Sequence, residues 1–162
     1  MSNSQLHVVK STADTLIVKH YKKLLELMRL GISTEHQLMA EKPNYNPEYT
    51  FPLNKEEKKL ESDMAYWIQD GAAVFHTVDD VLVGVGFAYP IDDHKCMIGP
   101  LVVDEKHRRK GICKGMVHEL ENQMRDAGMK ASVLVVLENN PAKDLYVAHG
   151  YGRESVILGR EL

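Results

Sequence analysis

The sequence predicts a mixed α/β fold, and three observations carry that prediction. Between residues 72 and 103, apolar segments are joined by Asp79-Asp80 and by "IDDHK", as in successive β-hairpins. From residue 96 the pattern becomes strand, helix, strand, helix, strand, which calls for a parallel crossover. Two helical patterns precede both regions. The expected sheet is therefore mixed, antiparallel in its first half, with a right-handed crossover around residues 96–137.

Each element has its own signal. Residues 6–9 read as a short strand. A helical pattern starts at Thr12, with Ile17, Tyr21, Leu24, Leu25 and Met28 on one face and mostly charged residues on the other, and Gly31 is expected to end it. "KPNYNPEYTFP" reads as a loop, whose Tyr45, Tyr49 and Phe51 either line an acceptor pocket or pin the loop to the core. Asn54 and Glu57 form a capping box for a helix that stops at Asp70-Gly71. "AAVFHTV" and "VLVGVGFAYP" make a hairpin, and "CMIGPLVV" is a third strand whose Gly99-Pro100 predicts a bulge or an edge, because proline cannot donate to a ladder. Ile112, Met116, Leu120, Met124 and Ala127 keep helical register. "ASVLVVL" is apolar throughout, as a strand covered on both faces should be. "PAKDLYVAHG" is a short helix and "SVILG" a last strand.

Composition narrows the classes. A chain of 162 residues, 44% hydrophobic and 27% charged, suits one globular domain over residues 1–162. A net charge of -3 argues against a general nucleic-acid binder. No apolar run approaches the ~18 residues of a membrane span. "MSNSQLHVVK" lacks a basic segment followed by an apolar core, so a cytoplasmic location is expected. Cys96 and Cys113 make neither a disulfide framework nor a zinc site, and no metal is expected.

The most informative stretch is "HRRKGICKG", residues 107–115. It lies between a strand and a helix, where the first-turn N–H groups lack intrahelical partners and the macrodipole is positive. Arg108, Arg109 and Lys110 add charge, and Gly111 lets the backbone approach a ligand. Together they form an anion cradle fit for a pyrophosphate. Neither a Walker loop nor a dinucleotide fingerprint is present.

This stretch resembles the acetyl-CoA loop of the GNAT superfamily of N-acyltransferases, R/Q-x-x-G-x-G/A. Arg108, Gly111 and Cys113 stand at its marked positions, with cysteine where the family has Gly or Ala. "NNPAKDLYVAHGY" is similar to the family's second motif, N-x-x-A-x-x-L-Y-x-x-x-G-F/Y, through Asn139, Ala142, Leu145, Tyr146, Gly150 and Tyr151. The resemblance covers about residues 72–158 and leaves 12–71 as acceptor-side elements. It implies a central mixed sheet of six to seven strands with helices on both faces. It also implies transfer of an acetyl group from acetyl-CoA to a primary amine of a small molecule, peptide or protein, by a monomer or homodimer.

What the resemblance implies for the residues is specific. Pantetheine would lie between two strands splayed at the bulge and pair with backbone groups along Leu101, Val102 and Val103. Backbone N–H groups of Arg109, Lys110, Gly111, Ile112, Cys113 and Lys114 would hold the pyrophosphate beside Arg108. Asn139, Ala142 and Tyr146 would approach the thioester, with Tyr146 as general acid. A phenol of pKa about 10 is protonated at neutral pH and can donate to the leaving sulfur.

The base is open. An alkyl ammonium must lose a proton, and the candidates are His76, Asp92, Asp93, His94, Glu138 or a water chain. Cys113 beside cations would be reactive only if its thiol pKa fell, and no histidine partner is placed by sequence. A non-catalytic acyl-CoA-binding module is the alternative from another class.

Overall fold

The computed structural model describes residues 2–41 and 57–152. The expected loop with Tyr45, Tyr49 and Phe51, the Asn54 cap and the strand at 155–159 lie outside the described residues. Five strands and four α-helices occur among the described residues: β1 Ser4–Val9, α1 Thr15–Ala40, α2 Glu57–Asp70, β2 Ala72–Val78, β3 Val81–Pro90, β4 Lys95–Val103, α3 Ile112–Asp126, β5 Ala131–Val133 and α4 Ala142–Ala148. A single 3-10 turn, Glu105–His107, joins β4 to the basic loop.

The sheet order is β1-β2-β3-β4-β5, antiparallel throughout except for the parallel pair β4–β5. This is the expected mixed sheet, with five strands among the described residues where six to seven were expected. Asp79 and Asp80 both adopt positive φ, 48° and 65°, as a two-residue I′-type hairpin turn requires. The ladder register shifts between Gly86 and Ala88, opposite Gly99-Pro100, so the expected bulge is present. β4 is nonetheless interior to the sheet, because its first three residues pair with β5.

Each face of the sheet carries a core. Ala73, Phe75, Val85, Phe87 and Val102 pack under Leu24, Leu27 and Met28 of α1 and Leu60, Trp67 and Ile68 of α2. Val74, Val83, Ala88 and Ile98 pack under Ile112, Met116, Val117 and Leu120 of α3, with Tyr146 of α4. Period-two alternation along the strands divides the apolar residues between the faces. Gly84 and Gly86 of β3 leave room on the second face: a Cβ at Gly86 would fall 2.8 Å from Leu101 Cδ2 and 3.2 Å from Leu120 Cδ1.

Two helix expectations change. Asp14 caps α1, its Oδ1 accepting from Leu16 N at 2.9 Å, so the helix begins at Thr15, three residues after the expected start. The helix then runs through Gly31 to Ala40 instead of stopping there. Gly31 is a close-approach residue, since a Cβ on it would fall 2.6 Å from Val102 Cγ2. The missing side chain lets α1 lie directly on β4.

Candidate functional site

The basic loop grows out of the end of β4. Asp104 caps the 3-10 turn by accepting from Lys106 N, and it also accepts from Lys23 Nζ of α1 at 3.2 Å. Arg108 Nε donates to the Val103 carbonyl at 3.1 Å, folding the loop back on its strand. Arg109 at φ 61° and Gly111 at φ 80° turn the chain into α3. Gly111 has the left-handed conformation glycine tolerates best, and nothing stands within 4 Å of where its Cβ would be.

The helix that starts there is not capped by a side chain. Its first backbone bond is Gly115 N to Gly111 O at 3.0 Å. The N–H groups of Ile112, Cys113 and Lys114 precede that bond, so they are the ones a helix start leaves for an external acceptor. An anion placed there would meet these donors, the macrodipole and the neighbouring cations together.

Beside this loop the sheet opens. β4 and β5 pair only at Lys95–Ala131, Cys96–Ser132 and Met97–Val133. β4 continues to Val103 while residues 134–137 leave strand conformation, so the ladder between the two segments ends at Met97–Val133, before the bulge. Leu101, Val102 and Val103 lie on β4 past the end of that ladder. Their roles divide: Val102 is buried under α1, while the Val103 carbonyl already accepts from Arg108.

α4 forms part of the second face. Pro141 takes the cap position before Ala142, and Tyr146 is only 9% exposed. The Tyr146 phenol lies beside the Cys113 thiol. Burial first, then the charge and hydrogen bonding of Cys113, hold that phenol well above the usual tyrosine range. It therefore stays protonated at neutral pH. Burial likewise pushes the Cys113 thiol up, against a smaller lowering by the Tyr146 hydroxyl, so neighbouring cations do not make it a reactive thiolate.

The remaining candidates scatter. His76 sits on β2, with β3 between it and β4, and its Nε2 pairs with Ser4 Oγ at 2.7 Å. Burial first, then His7 and His107, lower its pKa. Asp92 shapes the β3–β4 turn by accepting from His94 N and Lys95 N, and these bonds hold its carboxyl low. Glu138 pairs with Lys143. Asn139 is bonded at the end of α1: its Nδ2 donates to the Leu38 carbonyl at 2.8 Å and to Glu41 Oε2 at 3.0 Å.

Glu41 was invisible to sequence reasoning, since no local pattern links it to a residue 98 positions away. Among the described residues no group of three or more His, Cys, Asp and Glu is placed to hold a metal ion. No helix among them is long and apolar enough to cross a membrane.

Comparison with known proteins identifies the family and the fold. The model of the Acetyltransferase (GNAT) family matches residues 33–151. No curated protein matches the sequence. Among solved structures, a Pyrococcus furiosus protein is 18% identical with a TM-score of 0.65, over 99% of this chain and 100% of that one. The PaiA N-acetyltransferase of Thermoplasma acidophilum in complex with coenzyme A is 20% identical with a TM-score of 0.67, covering 94% and 93%. An aminoglycoside N-acetyltransferase in complex with CoA is 14% identical with a TM-score of 0.64, covering 99% and 96%.

Proposed function

The chain belongs to the Acetyltransferase (GNAT) family, and on that premise we propose that it transfers an acetyl group from acetyl-CoA to a primary amine by direct attack in a ternary complex. One observation supports this most. The uncapped start of α3 and the protonated Tyr146 meet at Cys113, on the sheet face that carries Ile98 of β4.

Each part then has a task. The N–H groups of Ile112, Cys113 and Lys114, with Arg108, Arg109 and Lys110, bind the pyrophosphate. Backbone groups along Leu101, Val102 and Val103 guide pantetheine to the bulge. Tyr146 donates its proton to the sulfur as the C–S bond breaks. Water relays the proton lost by the acceptor, since Ser4 holds His76 on a strand separated from β4 by β3.

The acceptor enters from the side of α1, α2 and the β3–β4 turn, because the donor takes the other side. Thiol release from acetyl-CoA, followed across a panel of amines, tests the activity. Amine-dependent release is expected. Calorimetry should show CoA binding far tighter than pantetheine. CoA binding without release to any amine would favour a non-catalytic acyl-CoA-binding module instead.

A further inference from the structure

Tyr146 is the one buried residue of α4. The helix has seven residues, well short of the ~12–15 at which an isolated helix begins to hold in water, and no side chain caps its start. Its place must come from what grips it. Two backbone N–H groups converge on the Tyr146 carbonyl, His149 N at 3.1 Å and Tyr151 N at 3.0 Å. The side chains of these same two residues converge on one carboxylate of α3. Tyr151 donates its hydroxyl to Glu121 Oε1 at 2.6 Å, and His149 Nε2 meets Oε2 at 3.0 Å. A carboxylate only accepts, so Nε2 carries the proton of that bond.

The sheet braces the same cluster. Ser132 Oγ of β5 lies 2.8 Å from the Tyr151 hydroxyl and 3.3 Å from Glu121 Oε1. The Tyr151 ring meets the Tyr146 ring edge-on, with centroids 6.3 Å apart. The Glu121 side chain is only 16% exposed, so water competes weakly for its oxygens. Both oxygens therefore engage residues that hold Tyr146 from behind. Cys113 and Glu121 stand eight positions apart on α3, about 12 Å along its axis, so Glu121 acts through other residues and not on the thioester.

We propose that Glu121 is a positioning residue for acetyl transfer: through Tyr151 and His149 it fixes where the Tyr146 hydroxyl stands. The proposal rests on the acetyl-transfer reading above, with Tyr146 as its acid. A proton donor must lie within hydrogen-bond reach of the leaving sulfur. A misplacement of about 1 Å can cost about 10²-fold in rate. Apolar packing of a ring tolerates small shifts, whereas two directional bonds to one carboxylate do not.

The test measures steady-state kinetics of Glu121→Gln and Tyr151→Phe, each made in the wild-type chain and in Tyr146→Phe, with the amine of the panel that is turned over fastest. Calorimetric CoA stoichiometry counts the folded sites, and rates are expressed per site. In the wild-type chain each change should lower kcat roughly tenfold, less than loss of the Tyr146 hydroxyl itself, while KM for acetyl-CoA and CoA affinity stay the same. In Tyr146→Phe the same changes should alter kcat by less than about twofold, since no proton donor is left to misplace. Tyr151→Phe removes only a hydroxyl and carries the test if Glu121→Gln does not fold. An unchanged kcat in either folded variant, or an equal loss in both backgrounds, would overturn the assignment and leave the cluster as a stabilising clasp. Full turnover by Tyr146→Phe alone would overturn it by removing the acid it serves, with acetyl transfer intact. The absence of amine-dependent thiol release by the wild type would overturn the acetyl-transfer reading itself and this assignment with it.

Discussion

Tyr151 donates its hydroxyl to Glu121 Oε1 at 2.6 Å, tying the segment after α4 to the middle of α3. Ser132 of β5 reaches the same oxygen at 3.3 Å, and His149 Nε2 meets Oε2 at 3.0 Å. Tyr151 N also closes on the Tyr146 carbonyl at 3.0 Å, so the seven-residue α4 is held mainly from its C-terminal end. Tyr151→Phe should therefore destabilise the protein by about 1–3 kcal/mol in urea titration at pH 7, because it removes a bond to a charged, largely buried acceptor. An unchanged midpoint would mean that the bond is replaced by solvent.

The same carboxylate sets a pH dependence. Burial raises its pKa, but the hydrogen bonds from Tyr151 and His149 outweigh that, and the folded-state value lies below the ordinary 4.5. A depressed acid contributes stability that is complete above its unfolded pKa and lost as pH falls through its folded pKa. Glu121→Gln cannot titrate there. The stability gap between wild type and Glu121→Gln should be widest near pH 7 and should narrow as pH falls below about 4.5. A gap that stays constant to pH 3 would place the effect of Glu121 in packing.

Tyr146→Phe should keep the fold and the CoA affinity while lowering kcat by roughly 10²-fold, within the usual range for a general acid. The buried hydroxyl is the group removed, and the ring that packs against α3 remains. An acyl donor with a more acidic thiol should recover part of the loss, since its sulfur needs less protonation. Wild-type turnover in the Phe variant would reduce Tyr146 to a packing role.

Gly31 and Val102 give a test of coupling. Alanine is favoured over glycine inside a helix by about 1 kcal/mol. Here its Cβ would fall 2.6 Å from Val102 Cγ2, and overpacking typically costs about 1–3 kcal/mol. Gly31→Ala alone should be neutral to destabilising. In a Val102→Ala background the same change should stabilise. Equal effects in both backgrounds, measured by denaturant unfolding, would show that the helix and strand do not meet as described.

Gly111 and Gly115 should respond in opposite directions. Gly111 sits at φ 80°, where an L side chain costs roughly 1–2 kcal/mol, so Gly111→Ala should destabilise. Gly115 lies within α3 with nothing inside 4 Å of its Cβ position, so Gly115→Ala should stabilise by up to about 1 kcal/mol. Thermal melts of the two variants check both signs.

The sequence by itself determined the strand periodicity, the Asp79-Asp80 turn, the bulge at Gly99-Pro100 and the glycine-bearing loop before α3. These depend on residues within a few positions of one another: alternation, turn preference, a missing proline N–H and unpaired helix-start donors. The tertiary structure decided the rest. Gly31 looked like a helix stop because glycine often follows a helix, and only Val102, 71 positions on, makes it a contact. Gly84 and Gly86 in β3 have meaning only once Ile112 and Leu120 lie over them. Asn139 and Glu41 meet because α1 outruns its expected end and reaches the chain beyond β5. Such contacts join residues distant in the chain, and they come from the packing of whole elements, which no local pattern encodes.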